Sequence, residues 1–279
     1  MNFSGSLMNR GVIKIDGPEA SAFLQGLVTN DVENLQKNQI QYTCLLTPQG
    51  KYLFDFFVIK TPTGLLLECE GGERLRALMG LLKLYVLRRP IVVQDVSHEW
   101  TVVVADASAA PFPSATYFYI DPRSPGMGHR GLVPGRVEGA SVKEAYDAQR
   151  LTLVIPEGSD DLQPQKSIIL ECGFDYLQAM SWTKGCYMGQ ELMARTKHRG
   201  LVRKRLFVLD VGEGLIPGIG SIVFAGDTEA GQVTSTYGAK GFALLRLEVL
   251  QPHMLAAGPT VRFESGQEAR VYAPLDLGV

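Results

Sequence analysis

Apolar residues along this chain fall into two periods, and the switch between them marks its regions. Residues 73–85, ERLRALMGLLKLY, place Leu75, Leu78, Met79 and Leu82 on one helical face. Upstream, DGPEASAFLQG predicts a short helix with Asp16 as cap, Pro18 and Glu19 in its first turn and Gly26 as its stop. Between these helices, QYTCLL and YLFDFFVIK are strand-like runs joined by TPQG (47–50), and TPTG (61–64) leads into LLLECE, a meander of hairpins. IVVQDV and WTVVVAD follow as strands. Residues 106–139 carry five prolines and five glycines and predict loop, with TYFYID the one strand among them. SVKE (141–144) has the form of a capping box opening a helix through AYDAQRL. From residue 203 the pattern changes to short β-rich runs divided by glycine, RLFVLDV, SIVFA, AGQVTSTY, FALLRLEV, TVRFES and EARVYA, as in a small barrel or sandwich. The expected fold class is α+β, with regions at 1–95 and 96–200 followed by an all-β domain at 201–279.

Composition narrows this only modestly. With 279 residues, 46% hydrophobic and 20% charged, the chain is an ordinary globular sequence longer than one core usually serves. A formal net charge of -2 gives no overall attraction to nucleic acid or acidic membranes. No secretory h-region opens the sequence and no apolar run reaches about 18 residues, so no membrane partner is expected. Cys44, Cys69, Cys172 and Cys186 show no CxxC spacing, which suits a reducing compartment and predicts a cytoplasmic protein. His98, His129, His198 and His253 show no metal-ligand spacing, and no metal site is expected.

The candidate chemistry lies in WTKGCYMGQELMARTKHRG (182–200). Gly189 to Thr196 predicts a short helix, with Gln190 and Glu191 in its first turn and Cys186 just before it. Free helix amides and Lys184 would there favour a thiolate, while Gly185 and Gly189 let backbone turn tightly or approach a ligand. The competing reading makes Cys186 a small buried hydrophobe. Between Arg195 and Arg205, seven of eleven residues are Arg, Lys or His. This run reads as a solvated face, or as a guide for an acidic tail, an acidic partner or RNA phosphates. RNA is the weaker of these, because no aromatic residue interleaves the charges before Phe207.

KGCYMGQELMART resembles the K-G-C-Y/F-x-G-Q-E signature of the YgfZ-type folate-binding proteins, GcvT-like relatives of the glycine-cleavage T-protein that assist iron–sulfur enzymes. FLQGLVTNDV (23–32), LLTPQGKYLFDFFV (45–58) and the run QKSIILECGFDYLQAMSWTKGCY resemble further family segments, and ARTKHRGLVRKRL is similar to the mitochondrial and alphaproteobacterial branch. The resemblance implies three domains in a ring around a channel that holds tetrahydrofolate, with iron–sulfur client or assembly proteins as partners. It implies roles for Cys186 and Lys184 in the chemistry, and for Asn30, Asp55, Tyr85, Arg150, Tyr187, Gly189, Gln190 and Glu191 in binding the folate. A folate-dependent aminomethyltransferase is the alternative, and an RNA-binding module the second. Against the transferase, Phe54-Asp55 keeps one carboxylate where the T-protein has a pair. Thr152 stands where its RLE run has a glutamate, and a hydroxyl cannot match a carboxylate's charge-assisted pairing.

Overall fold

The computed structural model describes residues 3–37, 39–109, 112, 114–198, 200, 202–254 and 259–274. In chain order the elements are β1 (Ser4–Ser6), β2 (Arg10–Asp16), α1 (Ala20–Gln25), β3 (Ile40–Leu46), β4 (Tyr52–Lys60), β5 (Gly64–Glu70), α2 (Gly72–Val86), β6 (Val92–Asp95), β7 (Trp100–Ala105), β8 (Tyr117–Ile120), β9 (His129–Pro134), α3 (Lys143–Thr152), α4 (Gly158–Asp161), α5 (Gln190–His198), β10 (Lys204–Asp210), β11 (Ile222–Ala225), β12 (Thr228–Tyr237), β13 (Lys240–Arg246), α6 (Leu247–Met254), β14 (Thr260–Phe263) and β15 (Glu268–Tyr272).

Three sheets organise them. A five-stranded sheet runs β3-β4-β5-β2-β6, a four-stranded sheet runs β1-β7-β9-β8, and the last six strands close into a barrel, β10-β13-β12-β11-β14-β15. The expected α+β body and C-terminal barrel are therefore present. β1 lies in the second sheet, where Ser4–Ser6 pair with Val103–Ala105.

β4 is apolar almost throughout because both of its faces are covered. Phe56 and Val58 face α1 and α2 with Leu24, Leu78 and Leu82. Phe57 and Ile59 face the opposite way, into a core shared with Val102, Val104 and Leu132 of the four-stranded sheet. Residues 162–189 form no strand and no helix beyond α4. Their Ile169, Leu170, Phe174 and Leu177 nevertheless belong to that shared core. Leu151 and Val154 meet Leu206, Val208 and Phe242 on the barrel's outer wall.

Some local expectations need correction. α1 begins at Ala20, and Asp16 ends β2 rather than capping a helix. The Ser141 hydroxyl accepts only the Lys143 amide at 3.3 Å, so the SVKE segment forms no capping box. β9 was hidden among glycines and prolines; Gly131 is required there, since a Cβ would lie 2.3 Å from the Tyr117 carbonyl of β8. The end of FALLRLEV turns into α6.

The interior where the sheets meet is charged. Arg10 of β2 and Arg130 of β9 both bind Glu68 of β5, the latter at 2.5 Å. Arg123 binds Asp121 at 2.8 Å and Glu157 at 2.7 Å, and donates to the Tyr146 hydroxyl at 2.6 Å. That hydroxyl donates in turn to Glu157. The guanidinium of Arg130 lies 4.1 Å over the Phe57 ring. At the barrel, Arg150 of α3 binds Asp161 at 2.5 Å and Asp147 at 2.7 Å. Asp161 also accepts Ser235 Oγ at 2.6 Å and Tyr237 Oη at 2.8 Å, which joins α4 to β12.

Removing the cation of Arg150 with Arg150→Met leaves the buried carboxylate of Asp161 without its cation, while Asp147 keeps Lys143, and should cost about 3–5 kcal/mol, read as a lowered midpoint in urea unfolding. Burial alone would raise the pKa of Glu157, but Arg10, Arg123, Arg130 and Arg150 outweigh it and hold the carboxyl well below its ordinary 4.5. The unfolded chain then takes up the proton first. Stability from Glu157 should be complete above pH 4.5 and fall as the pH drops below it, and Glu157→Gln should flatten that slope in denaturation curves.

Candidate functional site

The segment 182–189 has no regular structure, and what shapes it is a set of bonds to residues 25–30 just after α1. Lys184 makes most of them. Its ammonium donates to the carbonyls of Gln25 at 2.6 Å, Val28 at 2.9 Å and Asn30 at 2.7 Å. An ammonium has three donors, and all three are spent here. Lys184 is therefore a positioning residue for the loop, with no N–H left to offer the thiol. Burial lowers its pKa to about 8, against the opposing pull of Asp31 and Glu33. Backbone bonds from Ser181 to Thr29 at 3.0 Å and from Met188 to Gly26 at 3.1 Å continue the seam.

Asn30 secures the other side of that seam. Its Nδ2 donates to the Tyr42 carbonyl at 2.8 Å and the Gln178 carbonyl at 2.7 Å. Its Oδ1 accepts the Asp31 amide at 2.9 Å. Tyr187 is buried, with the Lys184 ammonium 5.3 Å from its ring centroid, and burial raises its pKa to about 12. Tyr85, at the end of α2, reaches the segment through a 3.5 Å contact of its hydroxyl with Met188 Sδ. The structure thus brings Lys184, Asn30, Tyr187 and Tyr85 around one loop.

Gly189 and Gly50 fix how that loop meets the first hairpin. Gly189 has φ +83, and a Cβ there would lie 2.7 Å from the Thr47 carbonyl and 3.0 Å from Gly50 Cα. The TPQG turn consequently seats directly against the start of α5. Gln190 begins α5 half-buried, and Glu191 is exposed and pairs with Arg195 one turn on. Gly185 differs: nothing lies within 4 Å of a Cβ placed on it.

Cys186 is exposed, whereas Cys44, Cys69 and Cys172 are buried. Burial raises the pKa of all three buried thiols, so they are held as thiols. The buried-packing reading of Cys186 therefore fails. The expected short helix is present as α5, which begins at Gln190, one residue later than expected and after the tight turn at Gly189, with Cys186 ahead of it. Among the described residues Cys186 Sγ has no hydrogen-bond partner. The thiol is presented on a braced loop rather than buried or capped.

Asp55 and Arg150 lie elsewhere. Asp55 is buried inside the five-stranded sheet, accepting the hydroxyls of Tyr42 and Tyr52, each at 2.6 Å. Arg150 is buried on Asp147 and Asp161 rather than on a surface acid. Phe54 packs under the Arg74 guanidinium at 4.1 Å, and the Thr152 hydroxyl donates to the Ala148 carbonyl at 2.9 Å. A folate would need free donors and acceptors, and the polar atoms of Asn30, Asp55 and Arg150 are already paired within the protein. As they stand these side chains do not fit the group. Sequence reasoning missed Gln25, Thr29 and Met188; the available signals were the FLQGLVTN run, which holds Gln25 and Thr29, and the KGCYMGQE motif, which holds Met188.

Among the described residues, no three or more His, Cys, Asp or Glu side chains gather as a metal set, and no helix is long and apolar enough to cross a membrane. Arg199 and the side chain of His253 lie outside the described residues.

The GCVT N-terminal domain family matches residues 6–105, and the C-terminal β-barrel domain of CAF17 matches 203–271. The chain is 33% identical to the mitochondrial iron-sulfur cluster assembly factor IBA57 of Mus musculus, over 88% of this chain and 78% of that one. The Homo sapiens counterpart is 31% identical with the same coverages. A mitochondrial homolog from Mycosarcoma maydis is 35% identical over 72% of this chain, which spans 55% of that protein's length. Among solved structures, the glycine cleavage system aminomethyltransferase T from Bartonella henselae superposes with a TM-score of 0.71 at 15% identity, over 99% of this chain and 86% of that one, a likeness of fold. These relatives are named mitochondrial, which overturns the cytoplasmic expectation. Unpaired cysteines report a reducing environment and do not say which compartment supplies it.

An aromatic disulfide reagent should label one thiol rapidly in the native protein and four after denaturation. Lys184→Met should change the native labelling rate several-fold while leaving the count at one, because it frees the loop without unburying the other cysteines.

Proposed function

The chain belongs to the family of the iron-sulfur cluster assembly factor IBA57, and from that premise we propose that it supports the assembly of iron–sulfur proteins through the thiol of Cys186. The observation that carries this reading is the contrast among the four cysteines. Three are buried and held as thiols, and the fourth is exposed on a loop braced by Lys184. A thiolate is the usual ligand of cluster iron. On binding, Cys186 would release its proton to solvent and form one Fe–S bond. One cysteine supplies one ligand, so the remaining ligands come from a partner that carries the cluster.

The tetrahydrofolate implied by the YgfZ-type resemblance has less support. Its expected polar contacts at Asn30, Asp55 and Arg150 are engaged internally. The aminomethyltransferase reading is supported only by likeness of fold, while Phe54 and Thr152 occupy the places where that chemistry wants carboxylates.

The test is Cys186→Ala in cells that depend on this protein. The expected outcome is loss of activity in enzymes that need an iron–sulfur cluster, with this protein's abundance and thermal unfolding unchanged, since the removed side chain is exposed. Full support of those enzymes by the variant would overturn the reading.

A further inference from the structure

The basic run 195–205 takes no part in the thiol site, yet the fold gives it a groove. A cavity of about 400 Å³ is lined by Leu170, Asp175, Tyr176, Trp182, Lys197 and Val202. It lies between the segment leading into the Cys186 loop and the far end of α5. Trp182, four residues before Cys186, is 39% exposed. The Lys197 ammonium sits 3.6 Å from the centre of its ring.

The charges here do not balance. Asp175 is neutralised by Arg205, with contacts of 2.9 and 3.1 Å. Arg195 is paired with Glu191. Lys197 has the Trp182 ring and no carboxylate, and the exposed His198 and Arg203 have no ion-pair partner among the described residues, whereas Lys204 acts on the Glu171 carboxylate. An apolar and aromatic groove therefore carries in its lining one cation without a carboxylate, Lys197, and His198 and Arg203 each follow a lining residue directly in sequence.

We propose that this groove docks an acidic segment of a partner protein, with an aromatic or branched apolar side chain entering between Trp182 and Val202 and flanking carboxylates meeting Lys197 and Arg203. Three features favour this occupant. The cavity admits a side chain, and a large ring beside a cation is the usual composition of an interface anchor. The exposed face of Trp182 is already covered by Lys197, so a nucleobase would have to displace that cation before stacking. A carboxylate pairs with Lys197 where it stands. A second copy of the chain would bring the same cations face to face, which costs energy. The partner's trade, iron–sulfur assembly, rests on the reading proposed above; the chemistry of the groove does not. A segment held here would lie beside the loop that presents the Cys186 thiol.

The test uses fluorescence anisotropy with a labelled peptide of alternating Asp and Glu around one central Phe. Its controls are the same peptide with Gly for Phe, the Asn/Gln counterpart, and an oligouridylate of equal charge. Expected is saturable binding of the acidic Phe peptide to the full chain, on the order of tens of micromolar as for small transient contacts, weakening as salt is raised. The Gly and Asn/Gln peptides should bind about tenfold more weakly. Trp182→Ala and Lys197→Glu, both on the surface, should lose the binding while keeping the wild-type melting profile, and Cys186→Ser should bind as wild type. Absence of saturable binding would overturn the proposal. So would equal binding of the Phe and Gly peptides, or no effect of Trp182→Ala, since the basic run would then act only as a diffuse charge. Tighter binding of the oligouridylate would overturn it in favour of nucleic acid. Because Cys186→Ser leaves the groove intact, failure here and failure of the thiol reading give different results.

Discussion

Burying an arginine in an interior this size is tolerable only if carboxylates come with it, and this protein buries Arg10, Arg123, Arg130 and Arg150 together. Stripping water from each guanidinium costs several kcal/mol, and the cost is offset only where acids and hydroxyls arrive in fixed geometry. Glu68, Asp121, Glu157 and Asp161 supply that geometry from separate elements. The five-stranded sheet, the four-stranded sheet, α3, α4 and the barrel must all be in place before every one of these charges is satisfied. Such networks add little net stability over an apolar core of the same shape. What this one does is penalise every arrangement of the sheets except the one that completes it.

The network also determines where chemistry is possible. Asp55 and Arg150, which by sequence could have faced a bound folate, are held by tyrosine hydroxyls and aspartates inside the protein. With those side chains engaged inside, the exposed candidate is the thiol of Cys186 on its loop. That loop repeats the same physical logic on a smaller scale. A half-buried ammonium, Lys184, is satisfied by three backbone carbonyls, and meeting that demand pins an otherwise irregular segment to the end of α1.

Much of the fold was legible because it rests on local patterns. The amphipathic face of α2, the hairpins at TPQG and TPTG and the glycine-divided barrel strands all follow from periodicity and turn chemistry. β9 was not legible: its glycine and proline spoil the local strand signal, and its register is set by β7 and β8 on either side. The start of α1 was misplaced because Asp16 has the right chemistry for a cap but is held in β2 by pairing with Gly64 and Val92. In the site, the motif identified Cys186, Lys184, Tyr187 and Gly189 as neighbours in sequence. It could not show that Lys184 reaches back to Gln25, Val28 and Asn30, because no local rule relates positions so far apart along the chain.

By itself, then, the sequence determined the element types, the change to an all-β C-terminal domain and the one short segment where a cysteine keeps unusual company. These depend on residues within a few positions of one another. Tertiary structure alone decided which thiol meets solvent, which candidate polar residues are consumed by internal pairing, and that Trp182 lies beneath Lys197 at the head of the basic run. Burial and ion pairing are properties of the packed whole, and a charged side chain carries no mark in the sequence of whether its partner will be water, a substrate or another residue of its own chain.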